Sequence, residues 1–283
     1  MMQAYRYRRT RITVYTVLVV CAVNTLFPIV YAISGSFKTL PELSNSGSRL
    51  IPKDPTLQNY LDALTKANFF QAFSNSVMVT SSATVLGTIA AAMCGYAFAR
   101  KMVPGSKVFL GLMGAGIFLG AGTATIYPRY VMAQALGINN LVGVVVLQLA
   151  EITLLTTFLV RAYCLDMGEE VEHAAMIDGC GTFGAFWHVG IPAMRPILTT
   201  AAVLTFQWSW NSFQVPLVFT LPRPELQTLT VSVFAIKSAG GDGFGQYTIL
   251  LAGAVMAVLP IIIVYIIAQR YFMDGLTAGA LKG

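Results

Sequence analysis

The sequence predicts an all-α integral membrane protein of six transmembrane helices with both termini in the cytoplasm. Three observations lead there. Of its 283 residues, 56% are apolar and only 11% charged, against about 25% charged in an average soluble domain. The apolar residues gather into six runs near the 20 or so residues that a helix needs to cross roughly 30 Å of hydrocarbon. Lys and Arg cluster at alternate ends of those runs, the asymmetry that sets orientation. Composition excludes disorder, a secreted disulfide scaffold and an ordinary cytosolic enzyme. The four cysteines, Cys21, Cys94, Cys164 and Cys180, imply no disulfide framework. The net charge of +6 belongs to topology rather than to nucleic acid, because the cations sit at the ends of apolar segments and not along one polar face.

The expected spans are Ile12–Ser34, Ser76–Ala99, Val108–Ile126, Leu141–Val160, Ile197–Thr220 and Thr248–Ile267. Arg6, Arg8, Arg9 and Arg11 precede the first run, and small residues lie near Ala32, a pattern shared with cleaved signal peptides. A signal core is about 7 to 15 residues long, whereas this run continues past Asn24 and Pro28 to Ser34-Gly35-Ser36, so it reads as a retained span. Arg100, Lys101, Lys107 and Arg270 join the N-terminal arginines on the cytoplasmic side. Residues 37–75, 127–140 and 221–247 are then external; Lys38, Arg49, Lys53 and Lys66 in the first of these weigh little, because long loops count less. Gly87, Ala91 and Gly95 in the second span, and Gly111, Gly114, Gly116 and Gly120 in the third, read as close helix packing. The organisation expected is residues 1–75 as tail, first span and external loop, 76–273 as a core with a cytoplasmic loop 162–196, and 274–283 as a cytoplasmic tail.

The segment Arg161–Pro196 breaks the pattern. It holds five of the twelve acidic residues and both histidines. Asp166 is placed to cap a helix starting at Met167, with Glu169 completing a capping box; the helix runs to Ile177 and stops at Gly179. Val171, Ala174 and Ala175 share one face, while Glu169, Glu170, Glu172 and His173 occupy most of the rest. Thr182 is placed to cap a second short helix carrying Phe183, Phe186 and Trp187, and Pro192 and Pro196 end the segment. Such a pair of helices lies along the bilayer or meets a protein. Membrane-surface helices carry Lys and Arg on the polar face; an acidic face is repelled by the negative inner leaflet, which favours a protein partner.

Two other motifs carry no chemistry in this context. Gly179-Cys180-Gly181-Thr182-Phe183-Gly184 matches G-x-G-x-x-G, but no strand precedes it. Cys164, His173, Cys180 and His188 lack the spacing of a zinc site. No G-x-x-x-x-G-K-[ST] loop exists, so the chain is not expected to bind or hydrolyse ATP.

Within the spans, Glu151 is the one acidic residue. It is either functional or engaged in a structural hydrogen bond to a neighbouring helix. Gln207, Trp208, Ser209, Trp210, Asn211, Ser212 and Gln214 place aromatics and amides together, as sugar recognition requires; an interfacial aromatic belt is the competing reading.

His173-Ala174-Ala175-Met176-Ile177-Asp178-Gly179, nine further residues and Val189-Gly190-Ile191-Pro192 resemble the loop signature of ABC importer permeases: Glu-Ala-Ala, three residues, Gly, nine residues, Ile, any residue, Leu-Pro. Phe27-Pro28, Pro55-Thr56-Leu57-Gln58-Asn59-Tyr60, Gly95-Tyr96-Ala97-Phe98-Ala99-Arg100, Trp210-Asn211 and the tail from Gly275 to Gly283 look like the sugar-importer branch, the family of the maltose transporter's smaller permease. His173 stands where the family has its signature glutamate, and Cys180 where alanine is usual. Glu172 and Glu170 are candidates to supply the missing charge.

The resemblance implies a type I ABC importer permease fold and a subunit, not an enzyme, that translocates a sugar or oligosaccharide across a bacterial or archaeal cell membrane. Implied partners are a second permease, expected to be a different chain, two ATPase subunits holding ATP and Mg, and an external solute-binding protein. Glu169, Glu170, Glu172, His173, Ala174, Ala175, Asp178, Gly179 and Pro192 are the implied ATPase-coupling residues. Glu151, Trp208, Trp210, Asn211 and Gln214 are the candidate pathway. The loop with Gly240-Gly241-Asp242-Gly243 is expected to reach the binding protein. No cofactor, metal or nucleic acid is expected on this chain. The alternatives are an ion-coupled secondary transporter, which expects inverted repeats, and a membrane enzyme, which expects clustered catalytic groups.

Overall fold

The computed structural model describes residues 2–46, 49–119, 125–239 and 246–280. The elements are α1 (Met2–Ser36), α2 (Leu40–Ser46), α3 (Gln58–Lys66), α4 (Phe69–Ala99), α5 (Ser106–Leu119), α6 (Ile126–Ala135), α7 (Leu141–Asp166), α8 (Glu170–Ile177), α9 (Thr182–Ala185), a π-helical turn Phe186–Gly190, α10 (Ile191–Ala193), α11 (Arg195–Asn211), α12 (Gln214–Thr220), a 3-10 turn Pro224–Leu226, α13 (Leu229–Ala239) and α14 (Tyr247–Ala280). Among the described residues there is no strand. The expected contacts of Gly240-Gly241-Asp242-Gly243, of Gly120 and of the last three tail residues lie outside the described residues.

Thr13–Ser36, Phe69–Ala99, Leu141–Asp166 and Tyr247–Gln269 are each long and apolar enough to cross a membrane. They carry the first, second, fourth and sixth expected spans. The other two runs differ from expectation. The third is a helix only over Ser106–Leu119, about 21 Å at 1.5 Å per residue, and Ile126 opens the separate α6. The fifth begins at Arg195 and breaks after Asn211, where Ser212 is extended (φ −62°, ψ 127°), before resuming as α12. Pro216 accounts for the break. It has no N–H, and in a continuous helix its ring would crowd the carbonyl four residues back, that of Ser212. That carbonyl turns aside and accepts from Thr230 Oγ1 at 3.1 Å.

The chain forms two compact units. Residues Met1–Phe69 with Val233–Val258 form one, and Phe70–Ser232 with Leu259–Gly283 the other. In the first unit Val17, Leu18, Val20, Val23, Leu26 and Phe27 of α1 are all exposed, apolar on every side as a lipid-facing helix is. Asn59 Nδ2 donates to the carbonyls of Ser36 (2.8 Å) and Lys38 (2.7 Å), tying α3 back to the end of α1. Ala63 and Ala67 pack with Ile236, Ile249 and Ala252.

In the second unit one core joins Val79, Ala133, Val144, Val215 and Phe219. A second, under the α7–α11 connection, joins Ala91, Ala92, Tyr96, Ala99, Val160, Cys164, Phe186, Met194 and Ala201. Asn140 caps α7 by accepting from Val142 N at 2.9 Å. α7 then runs to Asp166 rather than stopping at Val160, because Cys164 is still buried against Met194.

Candidate functional site

The site starts from a close approach. A Cβ on Gly95 would lie 2.7 Å from Val160 Cβ and 3.0 Å from the backbone nitrogen of Arg161, so only glycine lets α4 and α7 come this near. The glycines of the third run behave differently: a Cβ on Gly111 meets nothing within 4 Å, and one on Gly114 or Gly116 meets only ordinary contacts. The approach at Gly95 delivers the residues that follow it, Tyr96 and Arg100, to the end of α7.

Arg100 is 6% exposed at its side chain and Glu172 4%. Arg100 Nε donates to Glu172 Oε2 (2.8 Å) and Nη2 to Oε1 (2.6 Å), a two-pronged ion pair. Nη1 donates to the carbonyl of Cys164 (2.8 Å) and Nη2 also to that of Met167 (3.1 Å), satisfying carbonyls that the end of α7 would otherwise leave open. Tyr96 OH donates to Glu172 Oε2 at 2.9 Å. The guanidinium is pushed above its usual range, chiefly by the hydrogen bond to Glu172 and against the opposing effect of burial.

The connection is an elbow whose local signals partly differ from the expected ones. Asp166 is the last residue of α7, and α8 is flanked by Glu169 without any side-chain cap bond. The capping box fails because Glu169 turns elsewhere, 3.7 Å from Arg100 Nη1 and 3.8 Å from His173 Nε2. Thr182 is the first residue of α9 and caps nothing; Gly181 holds the cap position. Gly179 does stop α8: at φ +89° its N–H bonds to Met176 O and that of Cys180 to Ala175 O, the paired bonds of a left-handed C-terminal cap.

The prolines bend the chain rather than end it. Pro192 lacks the N–H that would bond to His188 O, and its ring crowds that carbonyl; the preceding turn is π-helical, with Ile191 N bonded to Phe186 O. Between Ala193 and Arg195 the axis turns by 76°, and Pro196 opens α11. Phe186 packs on Tyr96 at 5.0 Å, and a Cβ on Gly190 would lie 3.1 Å from the same ring.

The faces of α8 are a correction. Glu172, expected on the outer polar face, points inward to Arg100 and Tyr96, because a buried cation waits there. Glu169, Glu170, His173, Ala174, Asp178, Gly179 and Pro192 are exposed and Ala175 half-exposed. Ile177 (86% exposed), Phe183 (71%) and Trp187 (57%) stand beside them as an outward apolar surface, with Phe183 and Trp187 stacked at 6.4 Å. Tyr96 and Arg100 as the inner half of this site were not legible from local pattern: nothing in the Glu-rich run says which carboxylate meets a cation 72 residues away.

The pathway candidates separate as well. Glu151 is paired with Arg129 of α6, both half-buried. Trp210 is buried, edge-on to Phe73 at 5.9 Å and stacked on Phe206 at 5.8 Å, so it packs rather than presents a face. Trp208 is half-buried, and Gln207, Asn211 and Gln214 are exposed. Ser209, between them, is buried and donates to Gln148 Oε1 at 2.5 Å.

Residues 69–276 match the family described as binding-protein-dependent transport system inner membrane component. The chain belongs to this family. The permease is 34% identical over 261 residues to the arabinooligosaccharides transport system permease protein AraQ of Halalkalibacterium halodurans, covering 91% of each chain. It is 29% identical to the diacetylchitobiose uptake system permease protein NgcG of Streptomyces coelicolor, covering 97% of this chain and 90% of that one. Against the melibiose/raffinose/stachyose import permease protein MelC of Bacillus subtilis it is 27% identical over the full length of both. Its fold is that of a chain in the crystal structure of a bacterial ABC transporter involved in the import of the acidic polysaccharide alginate, with a TM-score of 0.80, 24% identity, and 94% and 97% of the two chains covered. The permease is therefore a multi-pass membrane transport subunit of an ABC importer, not an enzyme, and the ion-coupled secondary transporter is set aside.

Proposed function

We propose that the permease translocates a sugar or oligosaccharide into the cytoplasm, driven by ATP hydrolysed on partner subunits, with six spans and both termini cytoplasmic. In this reading α5 and α11–α12 complete the six. Partners are a second permease, two ATPases that hold ATP and Mg, and an external solute-binding protein. The observation that carries the reading is the elbow, which exposes the acidic Glu169, Glu170 and Asp178 together with the apolar Ile177, Phe183 and Trp187. Exposed apolar side chains accompanied by charge mark a protein-docking surface. Closure of the ATPase dimer on ATP moves the elbow, and nucleotide acts because it binds the closed dimer better than the open one. Toward the end of α11 away from the elbow and at the start of α12, Trp208, Asn211 and Gln214 offer ring and amide groups to sugar hydroxyls, and Glu151 of α7 contributes a carboxylate steadied by Arg129.

The test is reconstitution with partner permease, ATPases and binding protein. Deleting residues 169–180 is expected to leave a membrane-inserted chain that no longer co-purifies with the ATPase; retention of a fully active ATPase overturns the docking claim. Uptake of none of a panel of labelled oligosaccharides by the intact complex overturns the carbohydrate assignment.

A further inference from the structure

The covalent route from the elbow into the bundle changes direction at both ends. On the α7 side, Met167 is extended (φ −82°, ψ 109°) and is followed by Gly168. On the α11 side lie the π-turn and the 76° bend at Met194. The non-covalent route is stiff. Glu172 is gripped by three hydrogen bonds from two residues of a different segment, Tyr96 and Arg100, and Arg100 also binds two carbonyls at the end of α7. Phe186, from the other half of the elbow, rests on the same Tyr96 ring. Both halves of the elbow therefore land at the end of α4.

We infer that Arg100 is a positioning residue for energy coupling: the Arg100–Glu172–Tyr96 clamp makes α8 and the end of α4 one rigid piece, so that displacement of the elbow is delivered to α4. The inference rests on the ATPase-docking reading above. Stability alone is a weak reason for such a pair. A buried ion pair is often no better than apolar residues of the same volume, whereas its geometry specifies one arrangement. His173, standing where the family signature has glutamate, faces Glu169 at 3.8 Å, and the carboxylate used in the clamp is its neighbour Glu172.

The decisive variant is the neutral pair Arg100→Met with Glu172→Gln, which removes both charges together and leaves none buried without a partner. In proteoliposomes holding the whole importer, this variant is expected to assemble with its ATPase and hydrolyse ATP. Sugar imported per ATP is expected to fall about tenfold, within the usual range for coupling between sites. Arg100→Lys, which keeps the charge but loses the fork, is expected to fall between the neutral pair and the wild type. Tyr96→Phe, which removes one bond, is expected to lose severalfold. Unchanged import per ATP in the neutral pair overturns the inference. Failure of the neutral pair to assemble also overturns it, since that assigns the pair to folding. If the wild-type chain itself retains no ATPase, it is the docking reading that has failed, and that outcome is visible before any variant is made.

Discussion

Ser209 donates its hydroxyl to Gln148 Oε1 across 2.5 Å, joining α11 to α7 in the interior of the second unit. Both side chains are buried, and Ser209 lies 3.4 Å from Thr80 Oγ1 of α4. In lipid, where no hydrophobic force draws helices together, such a bond contributes about 1 kcal/mol.

Ser209→Ala is expected to destabilise the solubilised permease by about 1 to 3 kcal/mol, because it leaves a buried amide oxygen without its partner. Combining it with Gln148→Leu is expected to recover most of the loss, as replacing both members of a buried pair is nearly neutral. Thermal denaturation in detergent checks both, and a double variant no better than the single one refutes the account.

Trp210 and Asn211 are neighbours with opposite expected effects. Trp210→Ala empties a site packed by Phe73 and Phe206 and is expected to cost about 3 to 5 kcal/mol, visible as a lower denaturation midpoint. Asn211 is exposed, and its amide nitrogen donates to Gln207 O of its own helix at 2.9 Å. Asn211→Ala is expected to leave the midpoint unchanged while raising the KM for uptake. Equal loss of stability in the two would remove Asn211 from the pathway.

These contrasts show which parts of the site are legible in sequence. The apolar runs of α1, α4, α7 and α14, the elbow between α7 and α11, and the stop at Gly179 follow from composition, charge interruption and glycine, all of them local. The inward turn of Glu172 is not local: Glu169, Glu170 and Glu172 look alike until Arg100 arrives on a helix that Gly95 allows to approach. The overextended α7 is decided by burial of Cys164, not by the capping potential of Asp166. The break at Ser212 did have a signal, Pro216, but an apolar count over Ile197–Thr220 overlooks it.

Pro216→Ala restores an N–H and removes the ring that crowds Ser212 O. The expected result is a helix continuous from α11 into α12, with slowed amide exchange over residues 213–217 and Thr230 losing its acceptor. Because Gln214 then turns relative to Asn211, uptake is expected to fall while the spans stay inserted. Unchanged exchange over those residues shows that packing of Val215 and Phe219, and not the proline, sets the break.

Gly179 tests the elbow's outer surface without touching the clamp. Its φ of +89° is a conformation that costs an L-residue about 1 to 2 kcal/mol, and a Cβ there would meet nothing within 4 Å. The strain is thus conformational and not steric. Gly179→Ala is expected to loosen the exit from α8, shifting Phe183 and Trp187 relative to Ile177, while the buried contacts of Glu172 hold. Bundle stability should change little; ATPase affinity should fall about tenfold, the equivalent of roughly 1.4 kcal/mol. Gly179→Asn, a residue that visits the left-handed region more readily, should fall between alanine and the wild type. The measurement is titration of purified ATPase against permease in nanodiscs. Equal affinity for all three chains would mean that the direction in which the chain leaves α8 has no part in docking.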